Sequence, residues 1–420
     1  MIHIQLPLSK SIGARFLVAT YFAGTLPADP YFEDNEDLKV IQNALLHIYS
    51  DEEPIDYGET PVDLHSSGTA MRFVTAVCAS TSGADYVITG APRLCLRPMK
   101  PLLDVLREAG AEIYPAGKDE TGPYRVVGRK LQGGEFAIEG NISSQFISAL
   151  MLCAPTWENG MKLKFTTPIV SLPYIEMTAE VMHRFGISVD LKDGSVEIPS
   201  SKYIDPRNFK NETDWSAASF FYEACSITGN EFHLDNLTPP QNSLQGDAIC
   251  AHIFEKLGVI SNFSKSGVTI IKKNNSSIKI IEDFHDYPDL VLPVAVSSFL
   301  NNVQFHFSGV AHLRLKESDR IAAITKEAKK LGYLLETGDD YVSWNGDICP
   351  SEKFPLIETY DDHRVAMAFA MAVLKRGEIR ISNPDVVEKS FAKFWDEIPK
   401  LGISIKREGN VMTLNYNSRV

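Results

Sequence analysis

The stretch Leu313-Arg314-Leu315-Lys316-Glu317-Ser318-Asp319-Arg320 puts five charged residues among eight, both signs together, directly ahead of the apolar series Ile321, Ile324, Ala328 and Leu331. Apolar residues three and four apart have the helical period, so the charges fall at a helix start. There the unsatisfied backbone N–H groups and the helix dipole favour anions. On a helix over 317–332, Lys316 and Arg320 are four apart and share one face, and Glu317 is within reach of Arg320. Taken alone, the cluster also reads as a solvated, salt-bridged first turn. The rest of the chain has to separate the two readings.

The same arrangement, a polar cluster running straight into an apolar, Ala-rich helix, recurs. It appears at Ser9-Lys10-Ser11 (helix to Phe22), Ser66-Ser67-Gly68-Thr69 (to Ala79) and Ser143-Ser144-Gln145 (to Ala154). It appears again at Asp214-Trp215-Ser216 (to Ile227), over 286–289 (to Leu300) and at Asp361-Asp362-His363-Arg364 (to Leu374). Six units at a step of about seventy residues predict an internally repeated architecture. More amphipathic second helices, each ending at a glycine, are expected over 101–110, 174–186, 247–258 and 317–332. Short alternating runs at 86–89, 162–165, 268–272, 278–281, 303–307, 378–381 and 411–415 read as strands. The class is α/β (α+β), with three repeats in each half and a polar crossover over 200–212. Because apolar helices must be buried, their polar starts should converge. Those starts carry Lys10, Arg15, Arg72, Arg320 and Arg364.

Composition narrows the function. A chain of 420 residues has room for two or three domains. Its net charge of −13 argues against nucleic acid or an anionic membrane surface as partner. Small anions remain possible partners if the cations are gathered in one place. The six cysteines lack CxxC spacing and read as free thiols in a reducing compartment. The N-terminal residues alternate like a strand and show no targeting pattern, and the longest apolar run, 365–374, is too short to span a bilayer. A cytoplasmic monomer is the expectation. The acidic and histidine side chains of Asp361-Asp362-His363 have no second cluster at ligand spacing, so no metal is expected.

In order along the chain stand Lys10-Ser11 with Arg15, Ser67-Gly68-Thr69-Ala70-Met71-Arg72, Pro92-Arg93 with Arg97-Pro98, and Ser143-Ser144-Gln145-Phe146. They are followed by Ser171-Leu172-Pro173-Tyr174, Leu244-Gln245-Gly246-Asp247, Pro288-Asp289, Lys316-Glu317-Ser318-Asp319-Arg320, Asp362-His363-Arg364 and Lys389-Ser390-Phe391. Together these motifs resemble the 5-enolpyruvylshikimate-3-phosphate (EPSP) synthase family, from residue 5 to about 395. The resemblance implies a two-domain inverse α/β barrel of six βαβαββ repeats closing over a cleft. One domain would be 10–212 and the other 1–9 plus 213–420. It implies transfer of the enolpyruvyl group of phosphoenolpyruvate to the 5-hydroxyl of shikimate 3-phosphate, with release of phosphate and no cofactor.

By resemblance, Lys10, Gly68, Arg97, Gln145, Arg320, Arg364 and Lys389 hold phosphoenolpyruvate. Lys10, Ser11, Arg15, Ser143, Ser144, Gln145, Ser171, Asp289 and Lys316 hold shikimate 3-phosphate. Asp289 is the matching base and Glu317 the matching acid, with Lys10 or Lys316 as helpers. The residue types suit the chemistry, since two phosphates and two carboxylates need several cations, and Arg gives bidentate contacts. On its own, Asp289 after Pro288 reads as a helix cap, as does Ser143-Ser144. His363 is structural or bonds substrate, Cys95 is a buried or bystander thiol, and Asp319 is a cap or an arginine partner.

The sequence departs from the family pattern at Leu8, Gly13-Ala14, Ser66, Phe73, His312 and Ala392. The charged groups survive, so the chemistry survives. Two other functions stay open at this point. One is the related UDP-N-acetylglucosamine enolpyruvyl transferase, whose loop cysteine lies several residues before the matching arginine, whereas Cys95 is two before Arg97. The other is a catalytically weak binding relative.

Overall fold

Six helices are buried along nearly their whole length: Lys10–Ala23, Gly68–Ser80, Ser144–Cys153, Trp215–Thr228, Val291–Leu300 and His363–Met371. A helix apolar on every side cannot face water along any stripe, so other elements must enclose it. The computed structural model describes residues 1–28, 32, 34–50, 61–192, 194–273 and 277–416. It divides into two units, one of Met1–Ser9 with Glu212–Val420 and one of Lys10–Asn211. Each unit contains three of the buried helices.

Four-stranded sheets supply the enclosure, all built on one plan. In the unit 10–211, strand Pro61–Asp63 pairs parallel with Asp85–Thr89, which pairs antiparallel with Tyr124–Val127, itself antiparallel to Glu112–Pro115. Strands Gly134–Ile138, Met161–Phe165, Ser195–Ile198 and Asp190–Lys192 repeat that order. The parallel pair is joined through a buried helix, and the antiparallel pair is a hairpin following the second helix. Each repeat is therefore βαβαββ. Burial alternates along Asp85–Thr89, with one face on the helices and one towards solvent.

The other unit carries three such sheets. In its first sheet the strand order opens with Ile2–Ile4, parallel to Phe232–Asp235 in the register Ile2↔Phe232, His3↔His233, Ile4↔Leu234. The extreme N-terminus thus fills the place of the strand that should precede helix Trp215–Thr228.

The first repeat is described only in part. Among the described residues five four-stranded sheets are present, and the first repeat has none. Its described residues include helices Lys10–Ala23 and Glu36–Ser50, packed together. Helix Glu36–Ser50 was not read from the sequence, although Leu38, Ile41, Leu45 and Ile48 keep helical spacing and Asn35 Oδ1 caps Leu38 N at 3.1 Å.

One correction concerns the opening stretch. The expected helix over 317–332 starts at Arg320, because Asp319 caps it by accepting from Ala322 N at 2.9 Å. Lys316 is extended, so the argument that Lys316 and Arg320 share a helical face does not hold. Likewise the helix expected over 247–258 is a 3-10 turn, Gly246–Ile249, followed by Cys250–Glu255. All six cysteines are free and only Cys349 is partly exposed; burial pushes the Cys153 thiol up to about 12.

Glu223, on helix Trp215–Thr228, is fully buried and neither carboxyl oxygen has a hydrogen-bond partner. Burial raises its pKa well above the ordinary value of 4.5. The folded state therefore keeps a proton that the unfolded chain releases. Stability from this group is complete below pH 4.5 and is lost as pH rises above it, by about 1.4 kcal/mol per pH unit until the folded pKa is reached. Glu223→Gln should remove that slope. In denaturant unfolding between pH 5 and 8, the wild type should lose stability relative to the variant as pH rises; parallel profiles would show that Glu223 is not held protonated.

Candidate functional site

In the unit 10–211, the starts of the buried helices are tied together by arginine and glutamine. Arg15 is buried. It donates from Nε to Thr178 Oγ1 (2.7 Å), from Nη1 to the Ser11 carbonyl (2.7 Å), and from Nη2 to Ser148 Oγ (3.0 Å) and the Tyr174 carbonyl (2.9 Å). Burial lowers its pKa to about 10. Arg72 donates to the carbonyls of Gly68 (3.0 Å) and Pro98 (3.2 Å) and lies over the Phe146 ring at 5.8 Å. Gln145 Nε2 reaches Thr69 Oγ1 at 3.2 Å, joining two helix starts. Ser67 and Ser143 cap their helices by accepting from Ala70 N and Gln145 N. Lys10 pairs with Asp37 at 3.0 Å, with both side chains largely buried.

Gly68 is set by close approach. A Cβ there would lie 2.3 Å from Arg97 Nη1 and 3.3 Å from Arg72 Nη1, so only glycine leaves both guanidiniums in place. Ser171 precedes helix Leu172–Arg184 at φ +58°, a left-handed conformation uncommon for a residue with a Cβ.

In the other unit, Arg320 is the hub. It donates from Nε to Asp362 Oδ2 (2.9 Å), from Nη1 to Asp289 Oδ1 (2.8 Å) and from Nη2 to Glu317 Oε2 (3.0 Å). Asp289 Oδ2 accepts from Arg364 Nη2 at 2.6 Å, so one carboxylate bridges two buried guanidiniums. Asp362 also accepts from Ser318 Oγ (3.0 Å) and from Arg364 N (3.0 Å), capping helix His363–Met371. Consecutive left-handed residues Tyr360 and Asp361 turn the chain into that cap. Lys389 Nζ donates to the Asp361 carbonyl at 3.0 Å.

The charges of this cluster act on one another. Burial would raise the Asp289 carboxyl, but Arg364, Arg320 and Lys316 together hold it well below the usual range. Burial would lower Arg320, yet Asp362, Glu317 and Asp289 raise it instead. Asp247 is bonded to Ser216 and faces Asp289; burial and then that neighbouring charge push it up to about 7. His312 is lowered to about 3, first by burial and then by Lys316, and its Nε2 has no hydrogen-bond partner.

Of the expected site residues, Lys10, Ser11, Arg15, Gly68, Arg97, Ser143, Ser144, Gln145 and Ser171 belong to one unit. Asp289, Lys316, Glu317, Arg320, Arg364 and Lys389 belong to the other. Asp289 is not the helix cap that Pro288-Asp289 suggested alone; its oxygens go to arginines. Asp319 is both a cap and a partner of Arg314, at 3.5 Å. Sequence reading missed Asp37 and Asp247 as partners within these clusters, and the role of Asp362. No spacing rule shows that Asp362 neutralises an arginine forty-two residues away.

The sequence model of the EPSP synthase (3-phosphoshikimate 1-carboxyvinyltransferase) family matches residues 24–398. The chain belongs to the EPSP synthase family. It is 38% identical, over 407 residues and 96% of each chain, to the 3-phosphoshikimate 1-carboxyvinyltransferase of Bacteroides fragilis. It is 32% identical over 418 residues to the protein of that name from Vibrio cholerae, covering 95% of this chain and 96% of the relative. The fold is that of the EPSP synthase from Acinetobacter baumannii, with a TM-score of 0.67 at 22% identity over 98% of this chain and 97% of that one. No helix among the described residues is long and apolar enough to cross a membrane.

Departures from the family pattern have local explanations. A Cβ on Gly13 would meet Leu38 Cδ1 at 2.7 Å, so this glycine lets helix Glu36–Ser50 pack against Lys10–Ala23. Phe73, where the family usually has proline, is buried and carries Arg15 over its ring at 5.7 Å. The Asp362 carboxylate and Arg320 are fully buried together, so removing one partner strands the other charge. Asp362→Ala should lower unfolding free energy by about 3 kcal/mol, read from denaturant unfolding. An unchanged midpoint would show that Asp289 and Glu317 suffice to neutralise Arg320.

Proposed function

We propose that this protein joins the enolpyruvyl group of phosphoenolpyruvate to the 5-hydroxyl of shikimate 3-phosphate and releases phosphate. The observation that carries the reading is Asp289 shared between Arg320 and Arg364. Two buried cations in an acidic protein fit an anionic donor, and the group now neutralising them is the carboxylate matched to the base.

In this reading the oxygens of phosphoenolpyruvate replace Asp289 and Glu317 as partners of Arg320 and Arg364, joined by Lys389, Lys10 and Arg97. Held by two guanidiniums, Asp289 is a very weak base. Once donor anions engage those arginines, its pKa rises and an oxygen is released to the incoming hydroxyl. The base is thus armed only with donor bound. The hydroxyl oxygen bonds to the substituted vinyl carbon as Glu317 delivers a proton to the methylene carbon. Glu317, now a carboxylate, takes a proton back from that methyl group, and the departing phosphate carries off the C–O bonding pair as the double bond is restored. No redox change and no cofactor are involved.

For the acceptor, Ser143, Ser144, Ser171, Ser11, Gln145 and Lys316 supply hydroxyl, amide and ammonium donors to the phosphate ester and ring hydroxyls. Arg15 spends its N–H groups on Ser11, Thr178, Ser148 and Tyr174. We assign it to positioning these helix starts and not to direct contact.

Phosphate release in the presence of shikimate 3-phosphate and phosphoenolpyruvate tests the reading. Release with UDP-N-acetylglucosamine in place of shikimate 3-phosphate, or binding of both substrates without release, would overturn it. Asp289→Asn should lower kcat at least about 100-fold while both substrates still bind; near-normal kcat would exclude it as base. Gly68→Ala should displace Arg97 and raise KM for phosphoenolpyruvate roughly tenfold, the loss of one charge-assisted hydrogen bond, with KM for shikimate 3-phosphate unchanged.

A further inference from the structure

His3, His233 and Asp235 form a cluster that the enzymatic reading does not use. Strands Ile2–Ile4, Phe232–Asp235 and Gly267–Lys272 are adjacent, with His3↔His233 and His233↔Thr269 as direct register partners. The three side chains therefore stand in a row on one sheet face. Asp235, two residues after His233, lies on the same face. His3 Nδ1 is 3.0 Å from Asp235 Oδ1, His233 Nε2 is 3.7 Å from the same oxygen, and all three ligand atoms lie within 4.8 Å of one another.

We propose that His3, His233 and Asp235 bind a zinc-type divalent transition-metal ion that fastens the N-terminal strand to its sheet. Two imidazoles and one carboxylate suit zinc and its neighbours better than calcium or magnesium, which take oxygen ligands. Tetrahedral ligands at about 2.0–2.1 Å from zinc are about 3.4 Å apart, close to the spacing present here. His3 is 60% exposed in its side chain and can swing the remaining distance. His233 is nearly buried and already aimed. Its Nδ1 sits 2.9 Å from Thr269 Oγ1. With Nδ1–H donating to that hydroxyl, Nε2 presents its lone pair to the ion, as second partners of metal-bound histidines do. Nε2 is otherwise 3.3 Å from the carbonyl and the hydroxyl of Ser266, and that hydroxyl can remain beside the site. Lys400 donates to the His3 carbonyl at 3.3 Å and is neutralised by Glu397 at 2.7 Å.

The ion has structural work to do. Strand Ile2–Ile4 is three residues long, and the pair it joins is separated by 230 residues of chain. A metal bond between His3 and His233 would hold that strand in register.

Calorimetric titration of chelator-stripped, full-length protein with zinc chloride tests this. One saturable site per chain is expected. His3→Ala, His233→Ala and Asp235→Ala should each weaken it by roughly tenfold or more, and Thr269→Val, which removes no ligand atom, by about tenfold. Zinc should raise Tm in the wild type and not in His3→Ala, whose exposed side chain can be removed without disturbing the fold. Cys349→Ser, a control for thiol binding, should leave affinity unchanged. Absence of saturable binding, or affinity unchanged in His3→Ala and Asp235→Ala, would overturn the proposal and leave His3 and Asp235 as a surface ion pair.

Discussion

One carboxylate holds two buried guanidiniums, and much of this protein follows from that arrangement. Arg320 and Arg364 could not be buried without a counter-charge, and Asp289 supplies it to both at 2.8 and 2.6 Å. Asp362 and Glu317 complete the shell of Arg320. Such a network contributes little net stability, because desolvation of the ions offsets their attraction. In the function proposed above its value lies in exchange: an incoming dianion takes over arginines that are already gathered and oriented, and the carboxylate it displaces becomes available for proton transfer.

The network exists because of the helices behind it. Helices Trp215–Thr228, Val291–Leu300 and His363–Met371 are buried on every side, so only their ends are free to meet polar partners. Asp214, Pro288-Asp289 and Asp362 stand at those ends; Arg364 follows the Asp362 cap, and Arg320 opens the separate helix Arg320–Lys330. In the unit 10–211 the guanidiniums at the helix starts donate to neutral carbonyl and hydroxyl oxygens. Arg15, Arg72 and Gln145 cross-link the helix starts, and serine caps occupy the places held by aspartates in the other unit. One unit thus bonds its arginines to neutral oxygens and the other bonds them to carboxylates, on a shared βαβαββ plan.

Much of the site was readable because it sits at helix starts, and helix starts leave a local signature. Lys10, Gly68, Ser143, Asp289, Arg320 and Arg364 each stand beside such a boundary. What stayed hidden was long-range partnership. Asp37 lies twenty-seven residues from Lys10, and Asp362 lies forty-two from Arg320. Nothing in the spacing of either pair indicates contact. Helix Glu36–Ser50 lies outside the helices expected from the sequence, although its apolar period is clear.

The sequence by itself determined the class of fold, the number of buried helices, the family and the residue types available for chemistry. These depend on periodicity, capping residues and the order of motifs, all of which are local. The tertiary structure decided which charges meet. In the stretch 313–320, sequence placed Lys316 and Arg320 on one helical face, whereas the folded chain starts the helix at Arg320 and leaves Lys316 extended ahead of it. Whether Asp289 was a cap or a counter-ion depended on side chains remote in sequence. Helix starts can be read from a few neighbours, but the partner of a buried charge is set by packing across the whole unit.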